Sequence, residues 1–290
     1  MRMIINNSIQ FILISCLIIL GCSLNEENSN VDDSMFPESV VHLHNIDLGH
    51  WKVTLPVSNP SEVTPPEILD YATHPILKKY MYNDSTDGSL VFYTHPGAST
   101  PNSKYSRTEL REQMVPGSNH NNWTFAQGGR LKGTLAMSEI SKTENGYHTA
   151  IVMQIHGRLT DEQRDLIDED DNNAPPVLKI YWDNGKIRVH RKILKDLDVT
   201  NFDILKTSSW TDERYWFERE VGFGKFELEV LASDGKLEVV LNDEERLVFN
   251  DEHMRKWNVF ENYFKAGNYL QTRDESAFAE VKYFELERSH

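Results

Sequence analysis

Hydrophobic and polar residues alternate with a period of two along much of the chain. In one segment, Phe226, Leu228 and Val230 alternate with Glu227 and Glu229. Side chains two residues apart on a β-strand lie on the same face. Such a segment therefore predicts a strand that buries one face and exposes the other.

Turn sequences separate these alternating segments. Asp234-Gly235 lies between two of them, which is a strong hairpin signal. A second hairpin is predicted to join residues 178–182 to residues 186–189 through Asp183-Asn184-Gly185. Further strands are predicted at residues 130–137, 148–156, 216–222 and 279–287, and short helices at residues 66–71 and 251–257. We therefore predict an all-β fold, an antiparallel β-sandwich of jelly-roll type.

Residues 159–176 interrupt the alternation and are rich in acidic side chains, including four consecutive acids at residues 168–171. The segment directly follows Gln154-Ile155-His156-Gly157. Two interpretations remain open. It is either a solvated loop or a lid or wall at one end of a binding groove.

The N-terminal residues have the pattern of a secretory signal. Arg2 supplies a positive charge, and an apolar run at residues 11–20 ends close to Cys22. The run is about half the roughly 20 residues that span a bilayer, so it favours a signal peptide over a membrane helix. Ile19-Leu20-Gly21-Cys22 is similar to a bacterial lipoprotein processing box, in which Cys22 is lipidated. An ordinary secretory signal is the alternative.

This interpretation divides the chain into a lipoprotein signal peptide (residues 1–21), a polar, acidic tether (residues 22–40) and one folded domain (residues 41–290). Cys16 and Cys22 are the only cysteines in the sequence. The folded domain is therefore expected to have no disulfide, thiol nucleophile or cysteine-ligated zinc.

The formal net charge of −15 argues against nucleic acid as a partner. It does not exclude an anionic ligand. Screening over about 8–10 Å makes the local charge of a groove decisive.

Three separated segments, residues 106–112, 154–157 and 263–271, each combine an apolar face with a polar one. The predicted polar faces hold Arg107, Glu109, Arg111, Gln154, His156, Lys265, Tyr269 and Gln271. The predicted apolar faces hold Thr108, Leu110, Ile151, Met153, Ile155, Phe264, Ala266 and Leu270. The polar groups are suited to binding a carboxylate and moving a proton beside it.

These segments resemble the three signature regions of the alginate lyases of polysaccharide lyase family 7. They read Arg-Thr-Glu-Leu-Arg-Glu, Gln-Ile-His and Tyr-Phe-Lys-Ala-Gly-Asn-Tyr-Leu-Gln. The sequence at residues 51–57 is also similar to the start of that catalytic domain, and the resemblance extends from about residue 48 to the C-terminus. It implies a jelly-roll with a long concave groove and β-elimination of alginate by the domain at residues 41–290.

The resemblance also implies the site residues. The implied catalytic quartet is Arg107, Gln154, His156 and Tyr269, and the implied groove residues are Arg111, Glu109, Lys265 and Gln271. Glu109 is expected to orient Arg107 or Arg111. We expect no metal ion and no cofactor.

The residues themselves support this chemistry. The C5 proton of a 4-linked uronate lies α to a carboxylate, so its removal requires that the carboxylate charge be neutralised. Arg107 offers a bidentate fork and Gln154 an amide donor. His156 can donate to the carboxylate or, when neutral, accept the C5 proton. Tyr269 suits proton transfer to the bridging oxygen, and nearby cations are expected to lower its pKa from about 10.

Other functions remain open at this point. A glycoside hydrolase needs two carboxylates flanking the bond, and no Glu-x-Asp-x-Glu strand pattern supplies them. A non-catalytic lipoprotein that captures uronate oligomers would not need His156 and Tyr269 together. A lyase for another polyuronate, such as glucuronan, is a further alternative.

Finer expectations follow from the resemblance and the signal. Family members with Ile at the position of Ile155 are associated with guluronate-containing blocks, although Ile155 itself is predicted to face the core. If residues 159–176 close one end of the groove, we expect exolytic release of small products. The protein is expected to be a monomer, lipid-anchored at the bacterial outer membrane.

Overall fold

Antiparallel β-strands make up most of the regular structure in the computed structural model, which describes residues 46–57, 62–98, 103–200 and 202–290. The predicted signal peptide, the predicted lipidation site Cys22 and the predicted tether lie outside these residues. Within the described part of the chain, no helix is both long enough and apolar enough to cross a membrane.

The strands are numbered in chain order. They are β1 (Trp51–Thr54), β2 (Glu62–Val63), β3 (Met81–Asn83), β4 (Leu90–Thr94), β5 (Arg107–Glu112), β6 (Trp123–Thr124), β7 (Gly129–Ile140), β8 (Lys142–Thr143), β9 (Gly146–Tyr147), β10 (Thr149–Arg158), β11 (Asn173–Asp183), β12 (Lys186–Leu194), β13 (Trp210–Glu220), β14 (Phe226–Ser233), β15 (Lys236–Leu241), β16 (Glu245–Phe249), β17 (Glu261–Leu270) and β18 (Ala279–Ser289).

Two large sheets contain nearly all of these strands. The first has the order β13-β12-β11-β10-β17-β5-β1-β2, with β6 beside β17. The second has the order β16-β15-β14-β7-β18-β4-β3, and β8 and β9 form a separate pair. Neighbouring strands in these sheets run antiparallel. The predicted antiparallel β-sandwich is therefore confirmed.

The apolar faces of the two large sheets pack against each other. Phe92 of β4 and Tyr283 of β18 meet edge to face, with ring centroids 5.4 Å apart. The Tyr283 hydroxyl crosses to the other sheet and donates to the Val152 carbonyl oxygen at 2.6 Å. Each fully buried large apolar side chain contributes about 1.5–3 kcal/mol, so a core drawn from both sheets stabilises the sandwich without cross-links.

The predicted hairpins form as β11–β12 and β14–β15. In the first, Asn184 and Gly185 both have positive φ, which matches the twist of the flanking strands. Predicted strands 130–137, 148–156 and 279–287 lie largely within β7, β10 and β18. The strand predicted at residues 216–222 begins earlier, at Trp210.

The helices are few and short, as the sequence predicts. Two are α-helices, α1 (Asp161–Ile167) and α2 (Glu252–Lys256). The 3-10 helices are Glu67–Asp70, Leu77–Lys79, Asp203–Leu205, Thr207–Ser209 and Trp257–Val259.

Helix α1 lies inside the acidic segment, where the sequence interpretation proposed no regular structure. Thr160 caps its first turn, and Thr160 and Gln163 bond each other's backbone in a capping box. The sequence Thr160-Asp161-Glu162-Gln163 contains this capping-box signal. The segment is therefore not a continuous solvated loop.

A bulge in β10 changes the face of one predicted core residue. The register shifts between Ile151 and Met153, relative to both neighbouring strands. As a result Ile151 lines a cavity on the polar face, whereas Val152 and Met153 both join the core. The prediction that Ile151 shares the apolar face of Met153 is wrong, because an extra residue in a strand reverses the alternation.

Candidate active site

Side chains from neighbouring strands of the first sheet line up in two rows across its polar face. Residues paired across an antiparallel ladder share a face, so the strand register defines each row. The glutamine row is Lys52, Arg111, Lys265, Gln154, Lys179, His190 and Arg214. The tyrosine row is Arg107, Tyr269, Ile151, Tyr181, Arg188 and Trp216.

Two adjacent cavities lie over the middle of these rows. The first, of about 290 Å³, is lined by all four predicted catalytic residues and also by Lys104, Tyr105, Ile151, Pro176, Lys179, Tyr181, Lys265 and Gln271. The second, of about 380 Å³, shares Arg107 and Lys265 with the first and is also lined by Lys52, Thr54, Glu62, Arg111, Asn119, His120, Arg158, Asp171, Asn172, Asn173 and Tyr263. We call them the quartet cavity and the cationic cavity. Basic side chains outnumber acidic ones around both, despite the net charge of −15.

Glu109 lies beneath the site and connects two of its donors. Its side chain is only 1% exposed. It accepts a hydrogen bond from Gln154 Nε2 at 2.5 Å and forms an ion pair with Lys265, while Arg107 Nε is 3.9 Å away. The sequence predicted that Glu109 orients Arg107 or Arg111. In the structure its closest partners are Gln154 and Lys265, and its ion pair with Arg107 is longer. The other N–H of the Gln154 amide has no partner among the described residues and can bind a ligand.

The environment of His156 keeps its imidazole neutral. Burial, followed by the positive charge of Lys265, lowers the pKa of His156 to about 3. Its Nδ1 lies 2.9 Å from the Gly157 carbonyl oxygen, which can only accept, so Nδ1 carries the proton and donates. The ring also stacks on Tyr263 with centroids 5.2 Å apart. Nε2 therefore presents a lone pair, as a proton acceptor requires.

Tyr269 is held as a protonated phenol. Its hydroxyl lies 2.8 Å from Ser103 Oγ, and Ser103 Oγ donates its own proton to the Tyr105 carbonyl oxygen at 2.9 Å. Tyr269 therefore donates to Ser103. Burial raises the pKa of Tyr269 above 10, although the Ser103 hydrogen bond and the Arg107 charge act in the opposite direction. The expectation of a lowered pKa is wrong because desolvation outweighs the nearby cation.

The other predicted groove residues differ in how many hydrogen bonds and ion pairs their side chains already make within the protein. Lys265 lines both cavities, and burial lowers its pKa to about 8 despite the Glu109 charge. Arg111 lines the cationic cavity, but its guanidinium already donates to the Glu112 carbonyl oxygen and to Asn122 Oδ1 and stacks on Tyr263. Gln271 lines the quartet cavity and donates to the Tyr269 carbonyl oxygen at 3.0 Å.

Several further residues support or line the site. Ser103 and Tyr105 position the Tyr269 hydroxyl, and Tyr263 supports the His156 ring. Lys52 and Arg158 add cations to the second cavity. Lys52 stands in the recognisable stretch at residues 51–57, whereas Ser103 carries no comparable sequence signal.

The acidic segment contributes to one side of the site. Asp171, Asn172 and Asn173 line the cationic cavity next to Arg158. In the described ranges there is no group of three or more His, Cys, Asp or Glu side chains arranged to hold a metal ion.

The fold and sequence match known proteins. The family model described as alginate lyase matches residues 46–290. The crystal structure of alginate lyase A1-II′, a member of polysaccharide lyase family 7, is 27% identical, with a TM-score of 0.67 over 85% of this chain and 96% of that one. A complex of A1-II′ with product (GGG) is 28% identical, with a TM-score of 0.66 over 85% of this chain and 97% of that one.

More distant structures support the fold alone. An alginate lyase from Pseudomonas aeruginosa is 22% identical, with a TM-score of 0.62 over 84% of this chain and all (100%) of that one. None of the curated proteins matches the chain.

Proposed function

The chain belongs to the alginate lyases of polysaccharide lyase family 7, and on that premise we propose how it cleaves alginate at 4-linked uronic acids by β-elimination. The protein is a polysaccharide lyase. Elimination leaves an unsaturated sugar at the new non-reducing end. The proposal rests on the meeting of Arg107, Gln154, His156 and Tyr269 around one cavity, with a neutral histidine among them.

The reaction first requires that the negative charge of the carboxylate next to C5 be neutralised. The Arg107 guanidinium and the free N–H of Gln154 bind its oxygens, and the Lys265 ammonium adds a second positive charge. Because Glu109 already fixes Gln154 and Lys265, these donors need little rearrangement as charge develops on the enolate-like intermediate. Donors positioned in advance at developing charge are usually the largest contribution to catalysis.

The second task is to move the proton. His156 Nε2 accepts the C5 proton, since its Nδ1–H is held by the Gly157 carbonyl oxygen. Tyr269 donates its hydroxyl proton to the bridging oxygen as the glycosidic bond breaks. A pKa above 10 keeps that proton in place until it is needed.

The test uses polymeric alginate and measures unsaturated product by its ultraviolet absorbance. Tyr269→Phe is expected to abolish elimination while leaving oligomer binding largely intact, because the ring remains and only the hydroxyl is lost. Near-wild-type turnover by this variant would refute the mechanism. Ser103→Ala is the companion variant, since it keeps the phenol but removes the hydrogen-bond partner that positions it.

We propose that guluronate-containing blocks are the preferred substrate. The support is the Gln154-Ile155-His156 sequence and the relatives of A1-II′ type, whose complexes contain substrate (GGMG) and product (GGG). Ile155 is fully buried, so it influences preference only through the shape of the sheet. Rates on poly-guluronate, poly-mannuronate and glucuronan, measured separately, test this proposal and the alternative of another polyuronate.

We propose exolytic release of small products. Asp171, Asn172 and Asn173 form part of the wall of the cationic cavity. Helix α1 in the same segment is held to the body of the domain by a hydrogen bond from Gln163 Nε2 to the Val259 carbonyl oxygen at 2.7 Å. Sizing of products at early times tests the proposal, and an initial spread of mid-length oligomers would contradict it.

We also propose that the protein is a monomer anchored at the bacterial outer membrane through a lipid on Cys22. The support is the processing sequence Ile19-Leu20-Gly21-Cys22. Cys22→Ser is expected to abolish incorporation of labelled fatty acid and to release the protein from the membrane fraction. Retention of the label in that variant would refute the anchor.

A further inference from the structure

The two rows of the polar face continue beyond the quartet cavity onto the outer strands β12 and β13. The glutamine row extends through Lys179 and His190 to Arg214. The tyrosine row extends through Tyr181 and Arg188 to Trp216. Lys179 and Tyr181 line the quartet cavity, so this outer region is continuous with it.

Arg188 is positioned between two aromatic rings at the centre of this region. Its guanidinium carbon lies 4.4 Å from the centroid of Tyr181 and 5.4 Å from that of Trp216. One nitrogen donates to His190 Nε2 at 2.7 Å, and another lies 3.0 Å from Asp183 Oδ2. Arg188 Nε is buried and has no hydrogen-bond partner within the described ranges. The guanidinium is therefore preorganised, and its terminal nitrogens, each of which carries a second N–H, are the donors available to a ligand.

His190 adds a second buried nitrogen without a hydrogen bond among the described residues. His190 is 4% exposed. Because Arg188 donates to Nε2, the neutral ring carries its proton on Nδ1, which lies 3.8 Å from Asp212 Oδ2 without a hydrogen bond. Asp212 is balanced by Lys179 and Lys192, each 2.8 Å away. In this region Arg188 Nε and His190 Nδ1 are thus buried without a hydrogen-bond partner among the described residues.

The outermost residues are accessible from solvent. Trp216 is 49% exposed, and Arg214 beside it is also exposed. Arg214 forms no ion pair with any residue in the part of the chain that the structure describes. An exposed indole, an unpaired guanidinium and a preorganised arginine together suit a sugar that carries a carboxylate.

We propose that Arg188, Arg214 and Trp216 form an outer subsite that binds a uronate unit of the polymer away from the bond that is cleaved. The sugar ring packs on Trp216, and its carboxylate accepts hydrogen bonds from Arg188 and Arg214. The choice of a uronate as the ligand of this subsite rests on the proposed function. It adds that the polymer crosses the sheet over β11 and β12 to β13.

The spacing of the strands defines which substrates reach this subsite. Adjacent strands lie about 4.8 Å apart, so β13 is roughly 14 Å from β10, which carries Gln154 and His156. Short oligomers bound at the quartet cavity end before β13, whereas longer ones reach it. The subsite therefore acts on long substrates only.

The experiment compares kcat/KM for purified saturated uronate oligomers of increasing length. The double variant Arg214→Ala/Trp216→Ala removes two exposed side chains that do not line the quartet cavity. It is expected to lower kcat/KM on long oligomers roughly tenfold and to leave kcat/KM on the shortest cleaved oligomer unchanged. Arg246→Ala is the matched control, because Arg246 is an exposed arginine on the second sheet paired with Glu238.

Equal kcat/KM for variant and wild type at every length would overturn the subsite. An equal loss at every length would also overturn it, since that result indicates a general structural effect. If the wild-type protein formed no unsaturated product, the proposed function would fail instead. Calorimetric binding of the same oligomers would then test the subsite by itself, with length-dependent weakening in the double variant as the supporting result and equal affinity as the refuting one.

Discussion

Lys265 is expected to produce a decline in activity above pH 8. Its ammonium lines both cavities, is ion-paired with Glu109 and is almost fully buried. Burial, the largest influence, lowers its pKa from 10.5 to about 8. At pH 7 about 90% of the molecules then carry the charge, and at pH 9 about 10% do. If the charge helps to bind the substrate carboxylate, kcat/KM falls about tenfold between these values.

His156 and Tyr269 do not titrate in that window. The pKa of His156 is about 3, and that of Tyr269 lies above 10. Initial rates at limiting alginate between pH 5 and 10 measure the profile, because kcat/KM reports ionisations of the free enzyme. Lys265→Arg keeps a positive charge throughout, so its profile should lack the decline. The kcat/KM of Lys265→Met should be low at every pH.

Stability distinguishes this effect from alkaline unfolding. The pKa of Lys265 is lower in the folded chain than in the unfolded one, so the unfolded state binds more protons between about pH 8 and 10.5. The contribution of this group to stability therefore rises with pH through that window, by about 3 kcal/mol in total. Activity should fall while this contribution grows. A decline near pH 8 that persists in folded Lys265→Arg would refute the reasoning.

Three further substitutions test the supports of the site. Glu109→Gln leaves one acceptor oxygen for two donors and leaves the buried Lys265 charge unpaired. Urea denaturation at pH 7 should therefore show that the free energy of unfolding falls by about 3–5 kcal/mol, and adding Lys265→Met should restore part of it. An unchanged urea midpoint would contradict this. Gly267→Ala places a Cβ 2.6 Å from a carbonyl oxygen of β5 at a φ of +133°, so the melting temperature should fall by several degrees. His290→Ala removes a donor 2.6 Å from buried Glu112, whose pKa lies below its ordinary value, and should cost about 1–3 kcal/mol at pH 7. A urea midpoint at pH 7 equal to that of the wild-type protein would contradict this expectation.

The strands of this protein could be predicted because their signal is local. Alternation with a period of two identifies a half-buried strand wherever it occurs, and Asn184-Gly185 requires the positive φ angles of a hairpin turn. Helix α1 had an equally local signal in its capping box, which the acidic composition obscured. The face of Ile151 could not be predicted, since a bulge depends on the two neighbouring strands and not on the alternating sequence itself.

The partners within the site could not be predicted, because they are distant in sequence. Glu109 bonds Gln154, 45 residues away, and Lys265, 156 residues away. The Tyr269 hydroxyl bonds Ser103, 166 residues away. No spacing rule connects such positions, so only the tertiary structure shows that Glu109 bonds Gln154 and Lys265 and that Ser103 bonds Tyr269.

The sequence by itself determined the fold class and the candidate chemical groups, since alternation and residue type are properties of short segments. The tertiary structure alone decided how those groups ionise. Desolvation depends on everything packed around a side chain. Here it keeps His156 neutral, holds the proton on Tyr269 and lowers the pKa of Lys265 to about 8. The tertiary structure also decided how far the polar face extends, because only strand register places Arg188, Arg214 and Trp216 in line with the quartet.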